Sequence, residues 1–400
     1  MSEDLLFADL KVLDVGSWIA APVATTMLAD FGAQVIKVEA PGIGDGYRLF
    51  SESAGAPDSA VNFAWQMDAR NKRSITLNLK SQAGRDLLYQ LVADADVFVT
   101  NHMPQFREDW GLGYTHLSQL NPRLIYASLT AYGENGPERN REGFDLVAYW
   151  ARSGLMELVH APDADPAPAL PGMGDHPTAV TVYAGIVTAL LRRIRSGEGS
   201  YVHTSLLANG VWSASCVAQA AFADGEFNRY RKMSRHMYTR LMYETRDQRW
   251  LQFTMVRTEH ETDLLFAVLG VPELLVDARF IDQQARLDNG DQLVKLLRPV
   301  IRTRDAQAWM DDFNAAGVPV GLVGEVERLP QDQQVVANGM LLEGGESGMQ
   351  AVIKHPINIA GMPTQSVQRA PDRGEHTEQV LAELGLTPAE IDVLKDNGVV

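Results

Sequence analysis

The sequence predicts an α/β fold with a mostly parallel sheet, and three adjacent segments predict it. "LKVLDVG" (10–16) is a β-branched run ending in glycine. "APVATTMLADFGA" (21–33) is helix-length, with Pro22 suited to a first turn and Gly32 to a helix end. "QVIKVE" (34–39) is a second apolar run. Strand, helix and strand in succession form a βαβ unit, whose strands run parallel with a right-handed crossover.

The alternation continues along the chain. "RSITLNL" (73–79), "DVFVTN" (96–101) and "RLIYASLTAYG" (123–133) read as strands, with a helix over "SQAGRDLLYQLVADA" (81–95). The loops that follow these strands carry "VGSWIAAP", "NHMP" and "AYGENGP". Ligands of open parallel sheets sit at such carboxyl ends, so functional residues are expected there. From Pro177 to Ser196 apolar residues recur every three or four positions and "RRIRSG" closes the run with cations and glycine, which predicts a helix. "SYVHTSLL" (200–207) is a further strand and "ANGVWSASCVAQAAFA" (208–223) a further helix.

Regular alternation then stops. Residues 225–325 combine a stretch of aromatic and alternating residues, suited to an antiparallel sheet, with helical "HETDLLFAVLG" and "AQAWMDDFNAAG". The expected organisation is therefore 1–224 as the first part of a large domain, 225–325 as a smaller α+β domain, and 326–400 as a loop-rich tail closing on the helix "EQVLAELG".

Composition narrows the function. Hydrophobic residues make up 46% of the chain and charged residues 22%, which fits a folded globular protein. The formal net charge of −16 repels nucleic acid and anionic lipid, so neither is an expected partner. A small polyanion is not excluded, because it responds to nearby donors more than to the distant sum of charge. The single cysteine, Cys216, lies among small apolar residues and reads as a buried inert thiol; it can supply neither a disulfide nor a zinc site. No secretion signal or membrane span is read in the sequence, and a cytoplasmic location is expected.

Several chemistries lack their residues. "DVGSWIAAP" has no three spaced glycines for a dinucleotide pyrophosphate, and there is no phosphate-loop, H-E-x-x-H or G-x-S-x-G motif. No metal site is expected. His102, His116, His160 and His203 are scattered and read as surface or core side chains, whereas His176 directly follows Asp175 and is a candidate for contact with a substrate. Lys72 and Arg73 precede a strand, where they suit either a solvated turn or a ligand phosphate. In "PGMGDHPTAV", Asp175 stands at a helix start. Two roles are open to it, a cap on the free N–H groups and a reactive carboxylate.

"LKVLDVGSWIAAPVATTMLADFGAQVIKVEAPGIGD", "RNKRSITLNLKSQAGRDLLYQLVADADVFVTN", "LNPRLIYASLTAYGENGP", "FDLVAYWARSGLM", "GDHPTAV" and "APDRGEHTEQVLAELG" occur in that order from about residue 9 to the C-terminus. Together they resemble the class III CoA-transferases of the formyl-CoA transferase (CaiB/BaiF) type. The resemblance implies a large Rossmann-like domain built from both chain ends, a smaller inserted domain, and a homodimer of interlocked rings. It implies no permanently bound cofactor, with coenzyme A and acyl-CoA as substrates beside a carboxylic acid.

By the same resemblance Asp175 is the nucleophile, attacking an acyl-CoA to form a mixed anhydride and then an aspartyl-CoA thioester, with Gly172 and Gly174 offering N–H groups to the oxyanion. Ile19, Ala20, Lys72, Arg73 and Asn101 fall on the family's CoA-binding segments, and Arg107 and Arg141 are further candidates. The chain departs from the family pattern at Ile19, Ala40 and Asp109, where some members carry glutamine, arginine and a basic residue. His176, Tyr149, Trp150 and Tyr238 are substrate-pocket candidates. "AYWARSGLM" resembles members acting on 2-hydroxyacyl or enoyl acids, while dicarboxylic acceptors and intramolecular transfer stay open because specificity is expected in "RHMYTRLMYE" (235–244). A related α-methylacyl-CoA racemase uses a histidine where this chain has Phe144, a ring that cannot move a proton. Outside catalysis the alternative is a CoA-binding regulator in which Asp175 only caps its helix.

Overall fold

Strands β1 (Lys11–Val15), β2 (Gln34–Glu39), β3 (Lys72–Thr76), β4 (Val97–Thr100), β5 (Ile125–Thr130) and β6 (Ser200–Ser205) pair side by side in the order β3-β2-β1-β4-β5-β6, all parallel. They are seen in a computed structural model that describes residues 5–160, 164–227 and 237–400. The α/β class and the parallel sheet match the sequence expectation. The order reverses direction between β1 and β4, which opens a crevice at their carboxyl ends.

Alternate residues of the strands feed two apolar layers. Val12, Val35, Val97 and Ile125 pack with Met27 and Leu28 of α1 (Ala20–Asp30) and Ile186 of the long helix Asp175–Ser196. Leu13, Phe98 and Tyr126 pack on the other face with Leu88 and Leu91 of the helix Gln82–Ala93 and with Val380, Leu381 and Ile391 from the chain's end. Parallel strands covered on both faces need this near-continuous apolar character. The tail adds two elements that sequence periodicity did not show, the hairpin Leu341–Glu343/Ala351–Ile353 and the helix Pro388–Asp396.

The chain divides into two units. The first contains residues up to Glu157, Pro168–Cys216 and Gln333–Val400; the second contains Leu158–Ala167 and Val217–Asp332. The second has a three-stranded antiparallel sheet of Met242–Glu244, Trp250–Gln252 and Gly321–Leu322, with a core of its own around Phe253, Phe266, Leu297 and Phe313. Residues 228–236, part of the 225–325 segment expected to carry an antiparallel sheet, lie outside the described residues.

One expectation is corrected. Cys216 is exposed, because the helix Leu206–Ala218 turns that side away from the core. The helix Leu206–Ala218 and the 3-10 turn Gln219–Ala223 after it are together long and apolar enough to cross a membrane by length and composition alone, which does not test the expectation that the chain has no membrane span.

A cluster of opposite charges sits inside the first unit. Lys37 on β2 is fully buried, with its Nζ 2.8 Å from Asp45 Oδ2 and 3.9 Å from Asp14 Oδ2, and it donates to the Gly16 carbonyl at 3.1 Å. Lys72 Nζ lies 2.8 Å from the same Asp14 oxygen and 2.7 Å from the Pro22 carbonyl. Burial would drive Lys37 toward neutrality, but Asp14, Asp45 and Glu39 hold its ammonium well above the usual lysine range. For Lys72 burial prevails and lowers the group below its ordinary value. Asp45 in turn accepts the Trp18 and Tyr47 N–H groups, each at 3.0 Å, so the cluster fixes the β1–α1 turn and the 3-10 turn Gly46–Glu52 relative to each other.

Lys37→Met leaves two buried carboxylates short of a partner. The expected cost is about 3–5 kcal/mol of unfolding free energy, read from urea titration; a loss within experimental error of zero contradicts this role.

Candidate active site

The turn Pro171–Gly174 delivers Asp175 to the start of its helix. Gly172 has φ +87°, a conformation open to glycine, and its carbonyl accepts the His176 N–H at 3.0 Å. Gly174 is required for space: a Cβ there would lie 2.7 Å from Tyr149 Cγ and 2.9 Å from Asp145 Cβ. Tyr149 belongs to the π-type turn Leu146–Ala151, which follows directly on Asp145. One helical turn thus presses on one glycine and sets where the next residue, Asp175, stands.

Asp175 is the first residue of the helix, and no side chain caps this helix. The cap reading is therefore corrected, since a carboxylate at the first helical position has passed the place from which it reaches the N–H groups one turn ahead. The residue is 8% exposed, and no hydrogen bond reaches its carboxylate among the described residues; the carboxylate oxygens are not fully buried and so keep access to solvent. Burial, the charge of Asp145 and, less strongly, that of Asp68 push its carboxyl up to about 7, with His176 opposing them.

Asp68, in the helix Phe63–Asp68, accepts the Tyr47 hydroxyl at 2.7 Å and faces His176 Nε2 at 3.2 Å. Burial alone would lower the His176 imidazolium, but the hydrogen bond and charge of Asp68 outweigh it and raise the group to about 9, so it is charged at neutral pH. Asp145 Oδ2 accepts the Gly174 N–H at 3.0 Å. That N–H is therefore not available to an oxyanion, contrary to expectation, whereas the Gly172 N–H has no hydrogen-bond partner among the described residues.

The first turn of the sheet closes another side. Ile19 Cδ1 lies 3.8 Å from where a Gly172 Cβ would stand, and Ala20 begins α1; both are buried. Asn101, just after β4, clamps Ser17 by accepting its N–H at 2.9 Å and donating to its carbonyl at 2.7 Å. Beside this clamp, at the carboxyl edge of the sheet, is a cavity of about 360 Å³ lined by Ser17, Ala40, Pro41, Lys80, His102 and Trp110 among others. Burial, helped by Arg107, lowers His102 to about 4, so it faces this cavity as a neutral ring.

The expected cations are not at this edge. Lys72 is spent in the buried cluster, and Arg73 points to the opposite face of the sheet and pairs with Glu383 at 2.7 Å. Both belong to β3 itself, which begins at Lys72 and so carries them inside the sheet instead of at a loop mouth. Arg107 is buried against Glu134 at 2.6 Å and the Tyr126 hydroxyl at 3.4 Å, and exposed Arg141 pairs with Glu138. Trp150 follows Tyr149, with its indole N–H buried and unpartnered, while Tyr238 belongs to the second unit, where its hydroxyl meets Thr262 Oγ1 at 3.2 Å. Asp68, Asp145 and Tyr47 escaped the sequence reading. Lone carboxylates inside apolar stretches, "FAWQMDA" and "GFDLVAY", were the available signal.

Residues 7–377 match the model of the CoA-transferase family III. The chain is 30% identical to the (R)-2-hydroxy-4-methylpentanoate CoA-transferase of Clostridioides difficile over 99% of this chain and 100% of that protein. It is also 30% identical to the mouse (Mus musculus) succinyl-CoA:glutarate CoA-transferase, over 98% of this chain and 89% of that protein. Among solved structures, a CaiB/BaiF family protein from Brucella suis superposes with a TM-score of 0.82 at 27% identity, covering 95% of this chain and 100% of that one.

The raised carboxyl has a thermodynamic signature. Between the ordinary aspartate value of 3.8 and about 7, the folded state holds a proton that the unfolded state has lost, so stability falls as pH rises through that window. Asp175→Asn removes the penalty. It is expected to raise stability by about 2–4 kcal/mol above pH 7 and to change it little below pH 4, as followed by melting temperature against pH. An equal effect at both ends contradicts the burial account.

Proposed function

The chain belongs to the CoA-transferase family III and is a CoA-transferase acting between acyl-CoA and carboxylic acids; from that premise we propose that Asp175 is its nucleophile. The observation that carries the reading is a largely buried aspartate, 8% exposed as a residue, whose carboxylate has no hydrogen-bond partner among the described residues and stands at the first position of a helix. Leaving such a group unpaired costs free energy, so a structure that keeps one has a use for its reactivity.

In this reading an Asp175 oxygen attacks the thioester carbonyl of the donor. The carbon–sulfur bond breaks, CoA leaves as thiolate, and a mixed anhydride joins Asp175 to the donor acyl group. The thiolate then attacks the aspartyl carbonyl, the anhydride carbon–oxygen bond breaks, and the donor acid departs with an oxygen from Asp175. The acceptor carboxylate repeats the exchange in reverse and restores the free aspartate. Each step replaces one acyl derivative by another, so thioester energy is kept without a second energy source. In this reading the Gly172 N–H, which has no hydrogen-bond partner among the described residues, serves the oxyanion. Low exposure protects both intermediates from water.

The nucleotide end of CoA is assigned to the cavity at the sheet edge, where Lys80 supplies a cation and the Asn101–Ser17 clamp holds the wall. A homodimer fits the exposed Trp212 and Ile194, 79% and 82% accessible, which a second copy would cover. A monomer in sedimentation would remove that part. Racemisation is not favoured, because Phe144 has no titratable atom.

Incubation with an acyl-CoA and hydroxylamine is expected to leave a hydroxamate on the Asp175 peptide. In Asp175→Ala the adduct disappears and turnover falls by about 10³-fold or more; full turnover in that variant contradicts the assignment.

A further inference from the structure

Each ring nitrogen of His176 faces an oxygen atom. Nδ1 lies 3.0 Å from the Gly172 carbonyl oxygen and Nε2 lies 3.2 Å from Asp68 Oδ1. A carbonyl has no proton to give, so Nδ1 carries the proton of the first contact. Asp68 also accepts on its second oxygen, Oδ2, from the Tyr47 hydroxyl at 2.7 Å, as an ionised carboxylate does. The proton of the second contact then sits on Nε2, and an imidazole that donates from both nitrogens is a cation. Neither nitrogen keeps a lone pair with which to accept a proton.

The ring also joins two elements. Asp68 ends the helix Phe63–Asp68, and its own carbonyl is tied to α1 by the Thr26 hydroxyl. On the other side the Gly172 carbonyl takes both the His176 backbone N–H at 3.0 Å and the ring, which fits so closely that a Cβ on Gly172 would fall 3.1 Å from Nδ1. The turn that presents Asp175 is thereby fastened to the helix Phe63–Asp68.

The charges are just as local. Asp145 and Asp68 oppose ionisation of Asp175 and His176 favours it, while His176 itself is acted on by Asp68 and Asp175. Around Asp68, the Tyr47 phenol is held in its protonated form by burial and by the Asp68 charge, and Lys72 acts from the buried cluster. The acyl exchange written for Asp175 passes between carboxylates, a thiolate and their acyl derivatives, and no step of it calls for a proton donor or acceptor. Position and charge are what a doubly donating histidine can supply there.

Resting on the proposed role of Asp175, we propose that His176, oriented by Asp68, is a positioning residue of the transfer reaction: a fixed imidazolium that fastens the Gly172 turn and favours the attacking carboxylate of Asp175, without taking or giving a proton during turnover.

Two measurements on the full-length protein test this. In nitrogen NMR of histidine-labelled protein, the His176 signal, identified by its loss in His176→Gln, is expected to show both nitrogens protonated at neutral pH and to titrate at about 9. In Asp68→Asn its midpoint should fall by about one pH unit or more. The second measurement is the rate at which acetyl-CoA loads Asp175, read across pH as the covalent adduct by mass. Loading of the wild-type protein should rise with pH as the carboxyl ionises, with its midpoint at about 7. In His176→Gln, which keeps an amide to reach Gly172 but no charge, that midpoint should move upward by about one pH unit. A side chain needed for folding alone would lower the rate at every pH and leave the midpoint in place. A neutral His176 at neutral pH, or an unmoved midpoint in His176→Gln, overturns the proposal; where His176→Gln does not fold, the shift in Asp68→Asn identifies the signal and the wild-type spectrum decides. If neither acetyl-CoA nor succinyl-CoA leaves an adduct on wild-type Asp175, it is the nucleophile assignment that fails, and this role of His176 with it.

Discussion

A largely buried aspartate whose carboxylate has no protein hydrogen-bond partner among the described residues is the constraint on which this site depends. Asp175 stands between Asp145 and Asp68, and its charge is opposed there by the same burial that protects an anhydride or a thioester from hydrolysis. Neighbouring residues make that position possible. Tyr149 presses on Gly174, Asp145 holds the Gly174 N–H, and Asp68 keeps the His176 imidazolium close enough to moderate the repulsion. Raised basicity favours attack by the ionised form, while the ionised fraction near neutral pH remains substantial.

Behind this wall, ionic contacts do the positioning. Lys37, Asp14, Lys72 and Asp45 are buried together, and Asp45 extends its two N–H contacts to Trp18 and Tyr47. Buried ion pairs add little net stability compared with apolar packing, but losing one partner is costly, so they fix geometry strongly. The cluster therefore joins the sheet core to the turn that carries Trp18, and to Tyr47, whose hydroxyl reaches Asp68. Lys72 contributes to this support through Asp14 and the Pro22 carbonyl.

The parallel sheet was legible because its strands are apolar runs separated by helix-length segments with proline and glycine at their ends. "QVIKVE" coincides with β2, Gln34–Glu39. Asp175 was found through motif resemblance; spacing alone left its role open, because a cap and a nucleophile occupy the same sequence position. The charged residues were misread for a definite reason. Lys72 looks solvated in "NKRS" because nothing local announces that Asp14, far earlier in the chain, will meet it inside the core. The same limit hid Asp68 and Asp145, whose importance arises only when the helix Asp175–Ser196 is set down beside them. The tail hairpin was missed because its strands are three residues each, too short for alternation to register.

The covalent route predicts that oxygen passes through the enzyme. If the acceptor acid carries heavy oxygen in both carboxylate positions, each completed turnover leaves one labelled oxygen on Asp175. After several turnovers the peptide containing Asp175 should therefore gain the mass of one and then two heavy oxygens, located on that side chain by fragmentation. A peptide that stays unlabelled while the new thioester accumulates would contradict the account.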